Sequence, residues 1–223
     1  MNKKILLAGA SGLVGGNILK ILENKGTHIT LLLRKKITNK FHHKQIVSDF
    51  DQINSIDEQS QIDEIYIAIG KKLSLIELIY IRKKDRDSFE KVDYEYIKNI
   101  AHLGKRLGAK SIGLISAVGA NHNSKNIYLN VKGKIEKEIQ SIGFKKVVIA
   151  RPGHLLGQRN NEKKSWIISA FELITNIFNF FMFGPLEKYK NISASKVAMS
   201  LVSEMENASE GSHYLEYSNF KNH

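Results

Sequence analysis

The chain has 223 residues, of which 42% are hydrophobic and 25% are charged, as in an ordinary globular protein. It contains no cysteine, which excludes disulfides and thiolate metal sites, fits a reducing compartment and leads us to expect a cytoplasmic protein. The formal net charge is +12, but the lysines are spread along the chain and no basic run carries the motif of a nucleic-acid-binding module. We therefore expect no nucleic-acid partner. A general richness of the chain in lysine and asparagine is favoured over an anionic partner as the origin of the charge.

Strand-like and helix-like segments alternate along the chain. The apolar runs that predict strands lie at 4–10, 28–34, 44–50, 64–70, 111–119, 145–153 and 212–218. Helical periodicity is found at 12–26, 87–108 and 128–143. Because the runs are apolar on both faces, they predict an α/β, Rossmann-like doubly wound parallel sheet with a short C-terminal helical substrate region. We expect a single domain over 1–223, in which about 154–223 form a small lobe on the substrate side.

The segment 166–183 is apolar almost all round, but Glu172, Asn176 and Asn179 interrupt it, so we expect no integral membrane segment. A helix packed against the sheet and the pocket mouth is favoured over a pocket lid, a dimer face or a membrane-surface helix.

A glycine-rich turn follows the first predicted strand. Its G-x-x-G-x-x-G spacing places one glycine at the strand exit, one where backbone must approach a pyrophosphate, and one where the helix packs on the strand. The helix N-terminus offers free N–H groups to phosphates, and a serine hydroxyl can add a donor. The predicted cofactor contacts here are Gly9, Ser11, Gly12, Leu13, Val14 and Gly15.

Cations replace the expected carboxylate at the end of the second strand. A site for NAD usually has Asp or Glu here to hold the ribose 2′-hydroxyl, whereas this chain has Arg34 and Lys35, followed by Lys36. We therefore predict a preference for NADP(H) over NAD(H). Further cofactor contacts are predicted at the ends of the third and fourth strands: Asp49, Phe50, Ile69 and Gly70.

A serine, a tyrosine and a lysine form the candidate catalytic set. Tyr128 and Lys132 are four residues apart and share one helix face, and Ser116 ends the fifth predicted strand, at the sheet edge where ligands bind in such folds. An adjacent ammonium, together with the positive charge of oxidised nicotinamide, is expected to lower the pKa of the tyrosine, which can then exchange a proton with a carbonyl or alcohol oxygen. The serine hydroxyl would polarise the same oxygen.

The motifs GASGLVG, LISAVGA, YLNVK and ARPG together resemble the short-chain dehydrogenase/reductase superfamily in its extended or atypical branch. More narrowly, they are similar to the small NAD(P)H-binding proteins related to the Tat-interacting protein TIP30. The resemblance implies a Rossmann fold, bound NADPH and the catalytic set just described. It also implies that Arg151, Pro152 and Gly153 lie beside the nicotinamide. The residues expected to line the substrate pocket are Val118, His154 and Leu155.

The first functional hypothesis is an NADP(H)-dependent oxidoreductase that acts on a small carbonyl or alcohol substrate. The alternative is an NADPH-binding regulatory or scaffold protein with little or no turnover. A nucleotide-sugar epimerase is a weaker idea, because the short C-terminal region argues against a large pocket. The sequence does not determine whether the protein is a monomer or a homodimer.

No metal site is predicted. The eight histidines lack the spacing of a helical metal motif, and on an extended chain His42 and His43 would point in different directions from a surface loop. The carboxylates within 83–93 alternate with cations and suggest a solvated start of a helix.

Overall fold

The computed structural model of the chain describes residues 3–40, 42–56, 58, 60–157 and 184–221. The predicted helix at 166–183 lies outside these residues. Among the described residues, no helix is both long enough and apolar enough to cross a membrane.

The described residues form a seven-stranded parallel sheet, with the order β3-β2-β1-β4-β5-β6-β9, and a separate two-stranded pair, β7-β8. The strands are β1 Lys4–Ala8, β2 His28–Leu33, β3 Lys44–Val47, β4 Glu64–Ile67, β5 Ser111–Ile115, β6 Lys146–Ala150, β7 Leu155–Leu156, β8 Ile192–Ser193 and β9 Gly211–Leu215. The chain reverses direction across the sheet after β3, since β4 returns to pair with β1. That reversal opens the crevice in which doubly wound folds bind dinucleotides.

The α-helices are α1 Leu13–Asn24, α2 Leu75–Ile79, α3 Lys83–Glu90, α4 Ile97–Arg106, α5 Ile127–Ser141, α6 Ala194–Asn207 and α7 Tyr217–Phe220. Short 3₁₀ helices lie at Phe50–Ser55 and Gly184–Tyr189, and a π-helical turn at Lys91–Tyr96 joins α3 to α4. The Rossmann-like doubly wound fold predicted from the alternation is confirmed. Each strand of the large sheet ends one to four residues before its apolar run does, because those runs continue into the loops at the site.

The hydrophobic core lies in two layers, one on each face of the sheet. Leu7 points into a layer shared with Ile18 of α1 and Leu201 of α6. Its neighbour Leu6 points into the opposite layer, with Ile100 of α4 and others. Because both faces are covered, the central strands are apolar on both sides, which explains their continuous apolar runs.

The helical pattern at 87–108 belongs to a longer element that contains a change of winding. Residues 83–106 run through α3, the π-helical turn and α4 with helical backbone at both junctions. A π turn rotates the side chains on either side of it relative to an unbroken α-helix, and such turns are frequent at functional sites. Here the turn carries Asp93, which is buried.

Candidate active site

The glycine turn has the close approaches that its spacing predicts. Gly9 has a φ of 96°, and a Cβ atom there would lie 2.5 Å from the carbonyl oxygen of Ala68. A Cβ atom on Gly15 would lie 2.1 Å from the carbonyl oxygen of Gly9. Since side-chain carbons cannot approach so closely, these positions require glycine. The N–H of Gly12 donates to the Gly9 oxygen over 2.8 Å, which closes the turn.

The N-terminus of α1 is suited to an anion. Gly12 is its N-cap, no side chain caps the helix, and its first turn contains no acidic residue. Ser11 is exposed and Leu13 is partly exposed. Free N–H groups and the positive end of a 12-residue helix therefore meet at the crevice, where they fit a diphosphate group. Gly157 approaches the same turn, since a Cβ atom there would lie 2.9 Å from Cδ1 of Leu13.

The cations at the end of β2 are all exposed. Arg34, Lys35 and Lys36 directly follow Leu33 and form no ion pair with another described residue. Because they lie beside the crevice, their side chains are available to bind a phosphate group on the ribose of a dinucleotide.

The two cofactor contacts predicted after β3, Asp49 and Phe50, form interactions within the protein. The Asp49 carboxylate caps the 3₁₀ helix by accepting the N–H of Asp51 over 3.2 Å. The ring of Phe50 is only 4% exposed and meets Tyr96 edge to face at 5.6 Å between centroids. Phe50 can therefore border a cofactor through its backbone rather than its ring.

Ser116 follows β5 and is buried. Its N–H donates to the carbonyl oxygen of Ala150 over 2.8 Å, which ties the loop to β6. Its Oγ atom has no hydrogen-bond partner among the described residues. An unsatisfied buried hydroxyl costs about 1–3 kcal/mol, so its retention calls for an explanation.

Lys132 lies on the buried face of α5 in an ion pair. Its Nζ atom is 2.8 Å from Oδ1 of Asp93, and these side chains are 6% and 2% exposed. Oδ2 of Asp93 accepts the backbone N–H of Lys71 over 2.7 Å, so the same carboxylate anchors the loop after β4. Burial acts to lower the pKa of Lys132, but the Asp93 charge outweighs it and the pKa is raised. The lysine is therefore held as an ammonium ion.

Tyr128 is partly buried, one helical turn before Lys132. Its ring lies 5.9 Å from that of Phe89, between centroids. Without the nicotinamide charge, Lys132 does not produce the expected lowering of the pKa of Tyr128. Burial raises the pKa of Tyr128, Lys132 lowers it and Asp93 raises it again, and the net shift is upward. The sequence does not show the burial of Tyr128, nor the Asp93 carboxylate whose negative charge offsets that of the Lys132 ammonium, and the phenol is held in its protonated form.

Asp93 is a buried residue of the candidate site that the sequence analysis did not single out. The prediction that the carboxylates of 83–93 are solvated is wrong for Asp93, although it fits the exposed Asp87. The signal was present in the spacing. Asp93 stands four residues after Phe89 and four before Ile97, and both of these are fully buried. A carboxylate on the apolar stripe of a helix indicates a buried partner.

The end of β4 borders the ion pair. A Cβ atom on Gly70 would lie 3.2 Å from Oδ1 of Asp93 and 3.9 Å from Nζ of Lys132. Ile69, just before it, is partly buried. The structure thus brings the predicted cofactor residues of β4 against the predicted catalytic lysine.

The loop after β6 closes the other side of the site. The carbonyl oxygen of Pro152 accepts the N–H of Val118 over 2.9 Å, which joins this loop to the one that carries Ser116. A Cβ atom on Gly153 would lie 2.7 Å from the carbonyl oxygen of Lys190. His154 and Leu155 follow, both partly exposed, as is Val118.

The side chain of Arg151 points towards α5 and not towards the loop that carries Ser116. Its guanidinium forms a double hydrogen bond with the buried carboxylate of Glu136, with Nε to Oε1 at 3.0 Å and Nη2 to Oε2 at 2.5 Å. It also lies over the ring of Tyr214, 4.3 Å from the centroid. The guanidinium thus braces β6 against α5, and a contact of Arg151 with nicotinamide remains a prediction for its backbone.

Comparison with curated proteins identifies similar chains. Protein HTATIP2 of Rattus norvegicus is 30% identical over 178 residues, which cover 76% of this chain and 70% of that protein. Protein FMP52-1, mitochondrial, of Scheffersomyces stipitis is 32% identical over 162 residues, which cover 70% and 68%. FMP52 of Saccharomyces cerevisiae is 28% identical over 162 residues, which cover 72% and 69%. No family model matches the chain.

Solved structures share the fold at low sequence identity. A UDP-glucose 4-epimerase superposes with a TM-score of 0.71 at 12% identity, over 97% of this chain and 77% of that one. MoeE5, solved with UDP-glucose and NAD, gives 0.70 at 13% identity, over 97% and 79%. These likenesses support the Rossmann-like fold.

The prediction of a cytoplasmic protein is wrong. The FMP52 relatives to which the chain is similar are named mitochondrial, which contradicts this expectation. Both compartments are compatible with a chain that lacks cysteine, so the composition could not separate them.

Proposed function

This chain belongs to the family of HTATIP2 and FMP52, in the atypical branch of the short-chain dehydrogenase/reductase superfamily, and we propose that it is an NADP(H)-dependent reductase of a small carbonyl compound. The observation that carries the proposal is the buried Oγ atom of Ser116, which no described residue partners. A carbonyl oxygen bound beside Tyr128 would satisfy it.

The glycine turn and the uncapped N-terminus of α1 fit the diphosphate of a dinucleotide. NADPH bound there would supply a hydride to the substrate carbon. The residues of the chain do the rest: Lys132 holds positive charge near Tyr128, and Gly70 leaves room beside the ion pair.

Tyr128 is the proposed proton donor. As a hydride adds to the carbonyl carbon, the C=O π electrons move to oxygen, and that oxygen takes the phenolic proton. The Ser116 hydroxyl donates a hydrogen bond to the same oxygen while its charge develops. A phenol whose pKa is raised by burial is fully protonated at neutral pH, as the reducing direction requires. The tyrosinate that remains is stabilised by the Lys132 ammonium.

The first test replaces Ser116 with alanine. We expect kcat/KM for carbonyl reduction to fall by about 10²–10³-fold, as for loss of one oxyanion donor. The Tm should be unchanged or higher, because an unpartnered buried hydroxyl is removed. Ser141→Ala is the control, since the Ser141 hydroxyl bonds the carbonyl oxygen of Glu138 and lies at the far end of α5. A Ser116→Ala protein that keeps full turnover and loses stability would contradict the proposal.

The cofactor preference is tested at the end of β2. Calorimetric titration should show tighter binding of NADPH than of NADH. Arg34→Ala combined with Lys35→Ala should weaken NADPH binding by about 10–150-fold, the value of one hydrogen bond to a charged group, and leave NADH binding unchanged. Lys20→Ala is the control, an exposed lysine on α1. Equal or tighter binding of NADH by the unaltered protein would refute the preference.

A further inference from the structure

A lysine and two histidines converge on one carboxylate oxygen at the edge of the sheet opposite the glycine turn. Oε1 of Glu23 lies 2.6 Å from Nζ of Lys40, 3.3 Å from Nε2 of His42 and 2.7 Å from Nε2 of His43. Glu23 is in the last turn of α1, about 15 Å along the helix axis from Leu13. The cluster is therefore separate from the proposed dinucleotide site.

The loop between β2 and β3 brings the two rings together. The expectation that His42 and His43 point in different directions is wrong, because the chain turns here instead of running extended. The N–H of His43 donates to the carbonyl oxygen of Lys40 over 3.2 Å, and the ring centroids are 4.0 Å apart. The expectation of two surface residues holds for the exposed His42, but the side chain of His43 is only 9% exposed.

Two imidazole nitrogens and a carboxylate oxygen form a metal-ligand set. These three atoms lie within 4.8 Å of one another. Tetrahedral Zn²⁺ with ligands at about 2.0–2.1 Å holds them about 3.3 Å apart, so small side-chain rotations suffice.

A cavity leaves space for the remaining ligand. It has a volume of about 760 Å³ and is lined by the three candidate ligands together with His28 and Lys44, among others. A water or a small anion can reach the fourth coordination position from it. Lys40 holds a single positive charge at the carboxylate, which a divalent ion would replace.

We propose that Glu23, His42 and His43 bind a divalent transition-metal ion, Zn²⁺ in the first instance, in a three-ligand site that opens to this cavity. The ion ties the end of α1 to the loop between β2 and β3 and stabilises the fold. It takes no part in the proposed reduction.

The test is calorimetric titration of ZnCl₂ into the full chain, after removal of metal with a chelator and removal of any histidine tag. We expect one ion per chain and a rise in Tm with added Zn²⁺. Glu23→Gln and His43→Ala should each weaken binding at least tenfold. Lys40→Ala should tighten Zn²⁺ binding, because the ammonium that competes for the carboxylate is removed. If the cluster is only a set of ion pairs, Lys40→Ala should not increase the affinity for Zn²⁺. NADPH binding, measured in the same samples, should not change.

His28→Ala is the matched control, since His28 lines the same cavity outside the ligand set. His42→Ala is the second ligand variant for the case in which His43→Ala fails to fold, because the His42 side chain is 63% exposed. The proposal is overturned if Zn²⁺ does not bind at millimolar concentration, or if Glu23→Gln and His42→Ala bind it as tightly as the unaltered chain.

Discussion

Replacement of Tyr128 by phenylalanine should lower kcat for NADPH-dependent carbonyl reduction by about 10²–10⁴-fold, the usual contribution of a positioned proton donor. The change removes one hydroxyl and keeps the ring that packs against Phe89. NADPH affinity should therefore be unchanged. The measurement is NADPH oxidation with a panel of aldehydes, ketones and quinones, together with calorimetric NADPH binding.

Tyr94→Phe is the control for the Tyr128 variant. The Tyr94 hydroxyl lies 3.4 Å from Oε2 of Glu138, and the ring belongs to the same apolar cluster as Tyr128, so its loss should leave turnover unaffected. Full activity in Tyr128→Phe would remove the tyrosine from the mechanism. NADPH binding without oxidation by any carbonyl in the panel would favour the regulatory alternative.

Replacement of Asp93 by asparagine should destabilise the protein strongly at neutral pH. Removal of one partner of a buried ion pair costs about 3–5 kcal/mol, because the remaining charge stays buried. For a chain of this size the Tm should fall by about 6–20 °C. Turnover should fall as well, because Lys132 loses the carboxylate that positions its ammonium beside Tyr128.

The pH dependence distinguishes this charge effect from damage to packing. In the unaltered protein the pKa of Lys132 is raised, so its contribution to stability is complete below the unfolded value of about 10.4 and is lost only as the pH rises through the higher folded value. In Asp93→Asn, burial acts without the carboxylate and lowers that pKa. The unfolded chain then binds more protons, and the stability of the variant should rise with pH from neutrality towards 10.

The difference in Tm between Asp93→Asn and the unaltered protein should therefore become smaller as the pH rises from neutral to 10, as measured by thermal unfolding. Asp87→Asn is the control: Asp87 is exposed on α3, and its replacement should change stability by less than about 0.5 kcal/mol at every pH. A gap that stays constant with pH would mean that Lys132 carries no uncompensated charge in the variant.

The sequence is most informative where backbone geometry leaves a single residue type. The positive φ of Gly9 and the 2.1 Å approach at Gly15 can be accommodated only by glycine. The spacing of the glycines therefore predicted both the turn and the close contacts that require it. Helical periodicity likewise placed Tyr128 and Lys132 on one face of α5, and the apolar runs predicted the sheet.

The sequence is less informative where a side chain's partner comes from a distant segment. Asp93 and Lys132 are 39 positions apart and meet only because a π-helical turn and α5 pack together. The alternating charges in 83–93 therefore suggested that all the carboxylates of this segment are exposed to solvent. His42 and His43 were misplaced for a related reason, because a turn formed with Lys40 sets the direction of their rings. The pKa of Tyr128 also depends on burial, which the helical spacing alone does not give.

A crystal structure of the protein grown with NADP⁺ would show directly whether the phenol of Tyr128 faces a bound nicotinamide. We expect the diphosphate at the N–H groups that begin α1, the 2′-phosphate near Arg34, and C4 of the nicotinamide opposite the hydroxyl of Tyr128. A nicotinamide that lies away from Tyr128, Ser116 and Lys132, or a crevice without coenzyme at saturating concentration, would refute the proposed reductase.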